Sequence, residues 1–361
     1  MADDDTFSSV TGSHHIYDLA LILETSNGTM TGPPSYGNPF IGSDKRHRIG
    51  ADVNWRLGMD WKKKKVYELG SRSFYTIIPT ELDVFPRVTF TPCGTGLYNL
   101  LAMALGITAN VESPAAVPTV SATMIAKVSD GTRTHYIIET GLLVNKISFS
   151  ANYTDPPEVT VEFVGQWGEF DLDGTVTSFL SKEFPTAALA AMTSDPLGPK
   201  DTILTYSTQQ PSAADLPASS TWPTVQRLVL SINNNFKKQP CAIAGFDGTY
   251  RAMANRYVPG ELQVELAVTD RQYQNTSDSV LPDRNMYDYL ANIGLVRSKL
   301  TIDTSQYLRL GQYWTGAAAA GNSNFWLNPP DHGFKANSPE LERTHLLAVS
   351  TVRAYLGTLW A

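Results

Sequence analysis

Between residues 144 and 164 apolar and polar side chains alternate almost without exception, and few folds accommodate such a pattern. In VNKISFSANY (144–153), Ile147, Phe149, Ala151 and Tyr153 fall on one face, and Lys146, Ser148, Ser150 and Asn152 on the other. A period of two belongs to a β-strand with one face buried. Thr154-Asp155-Pro156-Pro157 supplies turn chemistry, after which EVTVEFV (158–164) sets Val159, Val161 and Phe163 against Glu158, Thr160 and Glu162. The segment predicts an antiparallel hairpin laid on a hydrophobic core.

The pattern returns further along. RLVLSIN (227–233) places Leu228, Leu230 and Ile232 on one face, and GELQVELAVT (260–269) places Leu262, Val264, Leu266 and Val268 against Gln263, Glu265 and Thr269. ISFSAN (147–152) aligns with LVLSIN (228–233), and PPEVTVEF (156–163) with PGELQVEL (259–266). The offsets are 81 and 103 residues, so the second pair carries about 22 more residues in its connection. Two matches in the same order predict a duplicated hairpin.

Elsewhere, YELGSRSFYTIIP (67–79) and ELDVFPRVTFTP (81–92) read as paired strands. TGLYNLLAMALG (95–106) reads as a helix, with Leu97, Leu100, Leu101, Ala104 and Leu105 at helical spacing and Gly106 as its cap. Residues 134–144 read as extended, 283–294 as a second short helix, and 298–310 and 345–357 as closing strands. Residues 108–122 and 193–224, rich in Pro, Ser, Ala and Thr, read as connections. A chain of 361 residues has room for two domains. The expected fold is mostly β, with a first domain over 1–170, a connection over 171–222 and a second domain over 223–361. A charged fraction of 17% beside 26 Gly and 22 Pro suits many short strands joined by turns.

The formal net charge of −7 excludes a protein that grips nucleic acid through a broadly basic surface. One basic run stands out, Lys62-Lys63-Lys64-Lys65, readable as a solvated loop or as a docking contact to an acidic surface of a neighbouring subunit. No catalytic or metal constellation is legible. Gly94-Thr95-Gly96 lacks the third glycine of a dinucleotide loop, Asn99 standing in its place, and reads as a turn and helix cap. The six histidines show no metal-ligand spacing, and Cys93 and Cys241 read as buried free thiols, or as a disulfide only if the two halves of the chain place them together. No secretory leader and no run of 18 apolar residues is present, so a soluble protein made in a reducing cytoplasm is expected. Glu158 and Glu162, like Glu261 and Glu265, lie four residues apart on the polar side of a strand, roughly 13 Å at about 3.3 Å per residue. A glycosidase pair needs about 5–9.5 Å. These carboxylates therefore read as solvated strand faces or as an acidic lining repeated around an assembly.

GLLVNKISFSANYTDPPEVTVEFVGQW (141–167) resembles the hallmark segment of siphophage tail tube proteins, in which a Gly-x-x-(V/L)-N-x-(I/L) run opens a strand and a second strand ending in (V/F)-x-G-(K/Q) pairs with it. WPTVQRLVLSINNNFKKQP (222–240) resembles a later segment of that family, with Asn233-Asn234 in place but Phe236-Lys237 where an acidic residue is usual. Residues 256–268 resemble the strand that follows, and 66–106 the family's early strands and short helix.

The resemblance implies two tandem tail-tube-type β-barrel or sandwich domains, each with a short flanking helix. It also implies trimeric rings that stack into a hollow tube around a tape-measure protein, capped by terminator and baseplate proteins, within the virion of a long-tailed phage. DNA would pass through the lumen without specific binding. No enzymatic activity and no cofactor is implied. Candidate lumen residues are Glu158, Thr160, Glu162, Glu261, Gln263 and Glu265. Candidate inter-ring contacts are Lys62, Lys63, Lys64, Lys65, Phe236, Lys237 and Lys238, within the long segments 26–66 and 234–259. Competing readings are a carbohydrate-binding β-sandwich, suggested by Tyr313-Trp314 and Phe325-Trp326, a hydrolase using Asp331-His332, or another tail component such as a terminator or baseplate protein.

Overall fold

The computed structural model describes residues 15–24, 46–47, 50–67, 69, 73–107, 114–115, 118, 120–129, 134–171, 196–207, 220–221, 225–244, 250–273, 297–302, 306–310, 331–333, 340–349 and 352–356. Among these the chain is mostly β with one α-helix. In the first half the strands are β1 (His15–Leu23), β2 (Arg46–His47), β3 (Gly50–Arg56), β4 (Met59–Tyr67), β5 (Phe74–Val84), β6 (Arg87–Pro92), β7 (Ala122–Ser129), β8 (Thr134–Asn152), β9 (Glu158–Val164) and β10 (Trp167–Asp171), with helix α1 (Gly94–Leu105) after β6. The second half contributes β11 (Ile203–Ser207), β12 (Ser220–Thr221), β13 (Val225–Asn233), β14 (Lys237–Ala244), β15 (Tyr250–Val258), β16 (Gln263–Tyr273), β17 (Arg297–Thr301), β18 (Tyr307–Leu310), β19 (Asp331–Gly333), β20 (Glu340–Val349) and β21 (Val352–Tyr355).

These strands form three sheets among the described residues: a large one built on β8, a five-stranded one in the order β12-β11-β17-β18-β21, and a four-stranded one in the order β14-β15-β5-β4. The long strand β8 merges two segments that the sequence presents separately, 134–144 and 144–153. Its near edge is followed along nearly its whole length by β9 and β10, while β7 and β13 share the other edge. The chain changes course at Gly141, whose φ of +66° suits glycine, and a Cβ there would come within 2.8 Å of Gln166 Cγ.

Both alternating pairs form antiparallel ladders, the first as a hairpin and the second across the intervening β14 and β15. Ile147 stands opposite Val161 in the first, and Ile232 opposite Val264 in the second. They lie in one continuous sheet, because β8 and β13 pair directly. There the sequence-equivalent residues Phe149 and Leu230 face each other, flanked by Ile147 opposite Ile232 and Ala151 opposite Leu228. A local two-fold relation thus joins the two copies. Their registers differ, however: Ser150 pairs with Glu158, whereas its counterpart Ser231 pairs with Glu265, four residues beyond the aligned Glu261. A tight turn sets the first register, and the second connection is too long to do so. The shift is even, so every apolar side chain keeps its face.

The buried face carries Phe90, Val159, Phe149, Leu230 and Leu266 in one row across the sheet, each at most 1% exposed. Each such side chain contributes roughly 1.5–3 kcal/mol by leaving water. Helix α1 packs against β8 on this core with Leu97, Leu100, Leu101, Met103 and Leu105 buried. Its end is closed by Gly106 at φ +68°, whose amide donates to Met103 O while Ile107 N donates to Ala102 O.

Several sequence expectations need correction. Residues 62–65 lie inside β4 and not on a loop. Strands β5 and β6 do not pair; β5 pairs with β4, and β6 with β3 and β9. The segment 234–259 holds the β14–β15 hairpin, and the connection at 193–224 contains β11 and β12. The second helix expected at 283–294, Tyr313-Trp314 and Phe325-Trp326 lie outside the described residues. The expectation for Cys93 holds: it is a buried thiol outside any disulfide.

Candidate functional site

The polar face of the large sheet brings together nearly all the candidate lumen residues, in rows set by strand register. One row runs Arg87, Glu162, Lys146, Asn233, Gln263; the next runs Thr89, Thr160, Ser148, Ser231, Glu265. In the second row Thr89 and Thr160 share a hydroxyl hydrogen bond of 3.1 Å. Glu158 pairs with Ser150, and Arg227 with Asn152 and Thr269. Glu158, Gln263 and Glu265 are exposed, while Thr160 and Glu162 are half-buried by their neighbours.

The carboxylates share this face with basic side chains. Glu162 lies between Arg87 and Lys146, Arg87 also faces Arg56 of β3, and Glu158, Glu265 and Arg227 stand beside hydroxyl or amide neighbours. Cross-strand pairing of opposite charges stabilises such a face modestly. Glu261 lies outside the rows, just ahead of β16, where its backbone carbonyl accepts a 2.9 Å bond from Asn235 Nδ2.

The asparagine run at 233–235 builds the corner between β13 and β14. Asn234 is 4% exposed, and its side-chain amide donates to Ala104 O at 2.9 Å and Val144 O at 2.8 Å. Its backbone N–H donates to Asn145 O, and Asn145 Oδ1 accepts from Phe236 N at 3.1 Å. Asn145 is the extra residue of a bulge in β8, where the ladder to β9 steps from Val144 to Lys146. The asparagine therefore fastens the helix end, the bulge and the corner together. Asn235 adopts φ +48°, a left-handed conformation that asparagine tolerates better than most residues.

The candidate inter-ring residues divide. Lys62 on β4 and Lys238 on β14, 176 positions apart in sequence, converge on Glu81 and Asp83 of β5. Lys62 Nζ lies 2.6 Å from Asp83 and 3.6 Å from Glu81, and Lys238 bonds both carboxylates. The bond to Asp83 raises Lys62 above the usual lysine range. Burial alone would raise Asp83, but the bonds from Lys238 and Lys62 outweigh it and hold the carboxyl below its ordinary value. Tyr257, opposite Lys238, is pushed up to about 12 by burial and by the Asp83 and Glu81 charges. Lys63, Lys64 and Lys65 are exposed along β4, an edge strand, as is Lys237 on the opposite edge strand; Phe236 is half-buried at the corner. Lysines on an edge oppose the addition of a foreign strand.

One buried titratable group escaped the sequence reading. Glu139 is 1% exposed, between Met124 of β7 and Gly168 of β10. Burial raises its carboxyl to about 8; the Gly58 amide and the Trp55 indole N–H, turned toward it, offset that only in part. Its isolation in the apolar run IIETGLLV was the available signal. The contrast is Glu24, also buried, which accepts from Ser121, from Thr123 Oγ1 at 2.9 Å and from Gly141 N at 2.8 Å.

Among the described residues no cluster of histidine, cysteine or carboxylate suits a metal ion, and no helix is long and apolar enough to cross a membrane. No protein-family model matches the chain, and no curated protein is significantly similar to it.

Proposed function

We propose that this chain is a structural protein that assembles into stacked rings, forming the hollow tail tube of a long-tailed phage with the polar face of the large sheet turned to the lumen. The observation that carries this reading is the division of that sheet. One face is closed by α1 and an apolar core, while the other is mostly hydroxyls, amides and charges of both signs, interrupted by Val229 and Ala267. In a lumen of this kind Glu162, set between Arg87 and Lys146, breaks up the basic charge that a passing polyanion would bind, and leaves the Arg56–Arg87 pair at the β3 side. The stretch of β5 edge that no described strand pairs with supplies the means of assembly, because an unpaired strand edge is a template for another chain. A ring of duplicated hairpins around a tape-measure protein follows from the same reading, with a terminator and a baseplate at its ends.

Negative-stain electron microscopy of the purified full chain, before and after concentration and mild warming, tests the proposal. Hollow cylinders of uniform width are expected. Single particles under every condition, by contrast, would remove the tube reading.

A further inference from the structure

The four-stranded sheet is two hairpins laid side by side, β4–β5 and β14–β15, and the joint between them is unlike either. Within the hairpins the strands pair along their lengths. Across the joint a single backbone pairing is present, Met253 with Glu81, and it is the one parallel pairing among the described residues. The ion cluster of Lys238 with Glu81 and Asp83, shared with Lys62, adds a charged attachment among the described residues. These side chains are partly open to water, Lys238 at 30% and Asp83 at 16% exposure, so salt weakens the joint readily.

Beyond the bridge, β5 runs on through Tyr75, Ile77 and Ile78, which are 76%, 42% and 48% exposed, and no strand pairs with that edge among the described residues. The β14–β15 hairpin is tethered at both ends by the corner at Asn234–Asn235 and Gly260, where Gly260 N donates to Asn234 O. That tether limits how far the chain's own hairpin can slide along β5. It also stores strain, with Asn235 held at φ +48°. A hairpin arriving from a second copy carries the same Lys238 and has no such restriction.

We infer that the joint between β5 and β15 is an exchange point, at which the β14–β15 hairpin of a second copy replaces the chain's own and extends its pairing along the free edge of β5. Exchange restores every contact of the joint, so it costs only association entropy, which high local concentration offsets. Donor and acceptor are different surfaces on each copy. The contact is thus head-to-tail and propagates into a closed ring or an open stack. This deepens the assembly reading above, since it names the partner as a second copy and the ion cluster as the element that switches between the two pairings.

The test couples lysines to carboxylates with a zero-length carbodiimide in an equal mixture of isotopically light and heavy full-length chains, at high protein concentration. Exchange predicts Lys238 joined to Glu81 or Asp83 across light and heavy chains. Coupling confined to chains of one isotope overturns it. A second measurement uses charge reversal: Lys238→Glu in one preparation, Glu81→Lys with Asp83→Lys in another. Each alone is expected to lose self-association and their mixture to regain it. Recovery only when all three substitutions sit in one chain would mean that the contact is internal, and would overturn the exchange. Mixed-isotope coupling without tubes would leave the exchange standing and remove the tube reading; tubes with single-isotope coupling would do the reverse.

Discussion

Replacing Asn234 by alanine removes a side chain that spans three elements at once. Its amide donates to Ala104 O and Val144 O at 2.9 and 2.8 Å, from a position 4% exposed to water. Ala104 lies in the last turn of α1, whose carbonyls have no partner within the helix. Val144 precedes the bulge at Asn145, where the ladder to β9 is interrupted. Alanine leaves both carbonyls buried and without the amide, and each loss costs about 1–2 kcal/mol once desolvation is counted. The expected destabilisation is therefore about 2–4 kcal/mol, a large share of the ~5–15 kcal/mol typical of a domain. Asn233 is the internal control. Its Oδ1 accepts from Asn235 N at 3.0 Å in a half-buried position, and alanine there should cost under about 1 kcal/mol. Urea unfolding followed by tryptophan fluorescence and circular dichroism gives both values, with coincident transitions licensing one free energy. A loss below about 1 kcal/mol at Asn234, or an equal loss at the two sites, would refute the role given to this side chain.

Glu139 makes stability depend on pH. Its folded carboxyl titrates near 8 against an ordinary value of 4.5, so the folded state holds a proton that the unfolded state has released across that window. Stability should fall as pH rises from 4.5 toward 8, by up to about 1.4 kcal/mol per unit, and Glu139→Gln should flatten the slope; an unchanged slope would place the titration elsewhere. Asp83 acts in the opposite sense. Held below its ordinary 3.8, it contributes stability above that pH and loses it on further acidification, so proteolysis of the β14–β15 hairpin should quicken in acid and less so in Asp83→Asn. Gly260→Ala would set a Cβ 2.4 Å from the backbone oxygen of Asn235, and a cost of about 1–3 kcal/mol in the same urea assay is expected. Lys63→Val with Lys64→Val strips two charges from an exposed edge strand, and static light scattering should show irregular aggregation that the unmodified chain resists.

What could be read from the residues followed how local the cause was. The hairpin at 144–164 was legible because a period of two and a Pro-rich turn fix both strands and their register within a short stretch. Helix α1 was legible from its apolar spacing and Gly106. The second register was not, because its strands are joined through a hairpin of their own, and pairing then depends on neighbours distant in sequence. Lys62–Lys65 reads as a loop since four like charges show no alternation; it forms a strand because β5 supplies the partner. Convergence of Lys62 and Lys238 on Glu81 and Asp83 is purely tertiary, and nothing near either lysine signals it. The carboxylates at 158, 162 and 265 were seen, but Arg56, Arg87 and Arg227, which share their face, come from strands read separately.

The central claim is that the polar face of the large sheet lines a closed interior. Its direct test is cysteine labelling at Thr160→Cys, in the hydroxyl row of that face. The account predicts that a small maleimide reacts both before and after assembly. A maleimide carried on a folded protein should react with single chains and be excluded once particles have formed. Equal reaction with both reagents in the assembled state would place this face on the outside and contradict the account.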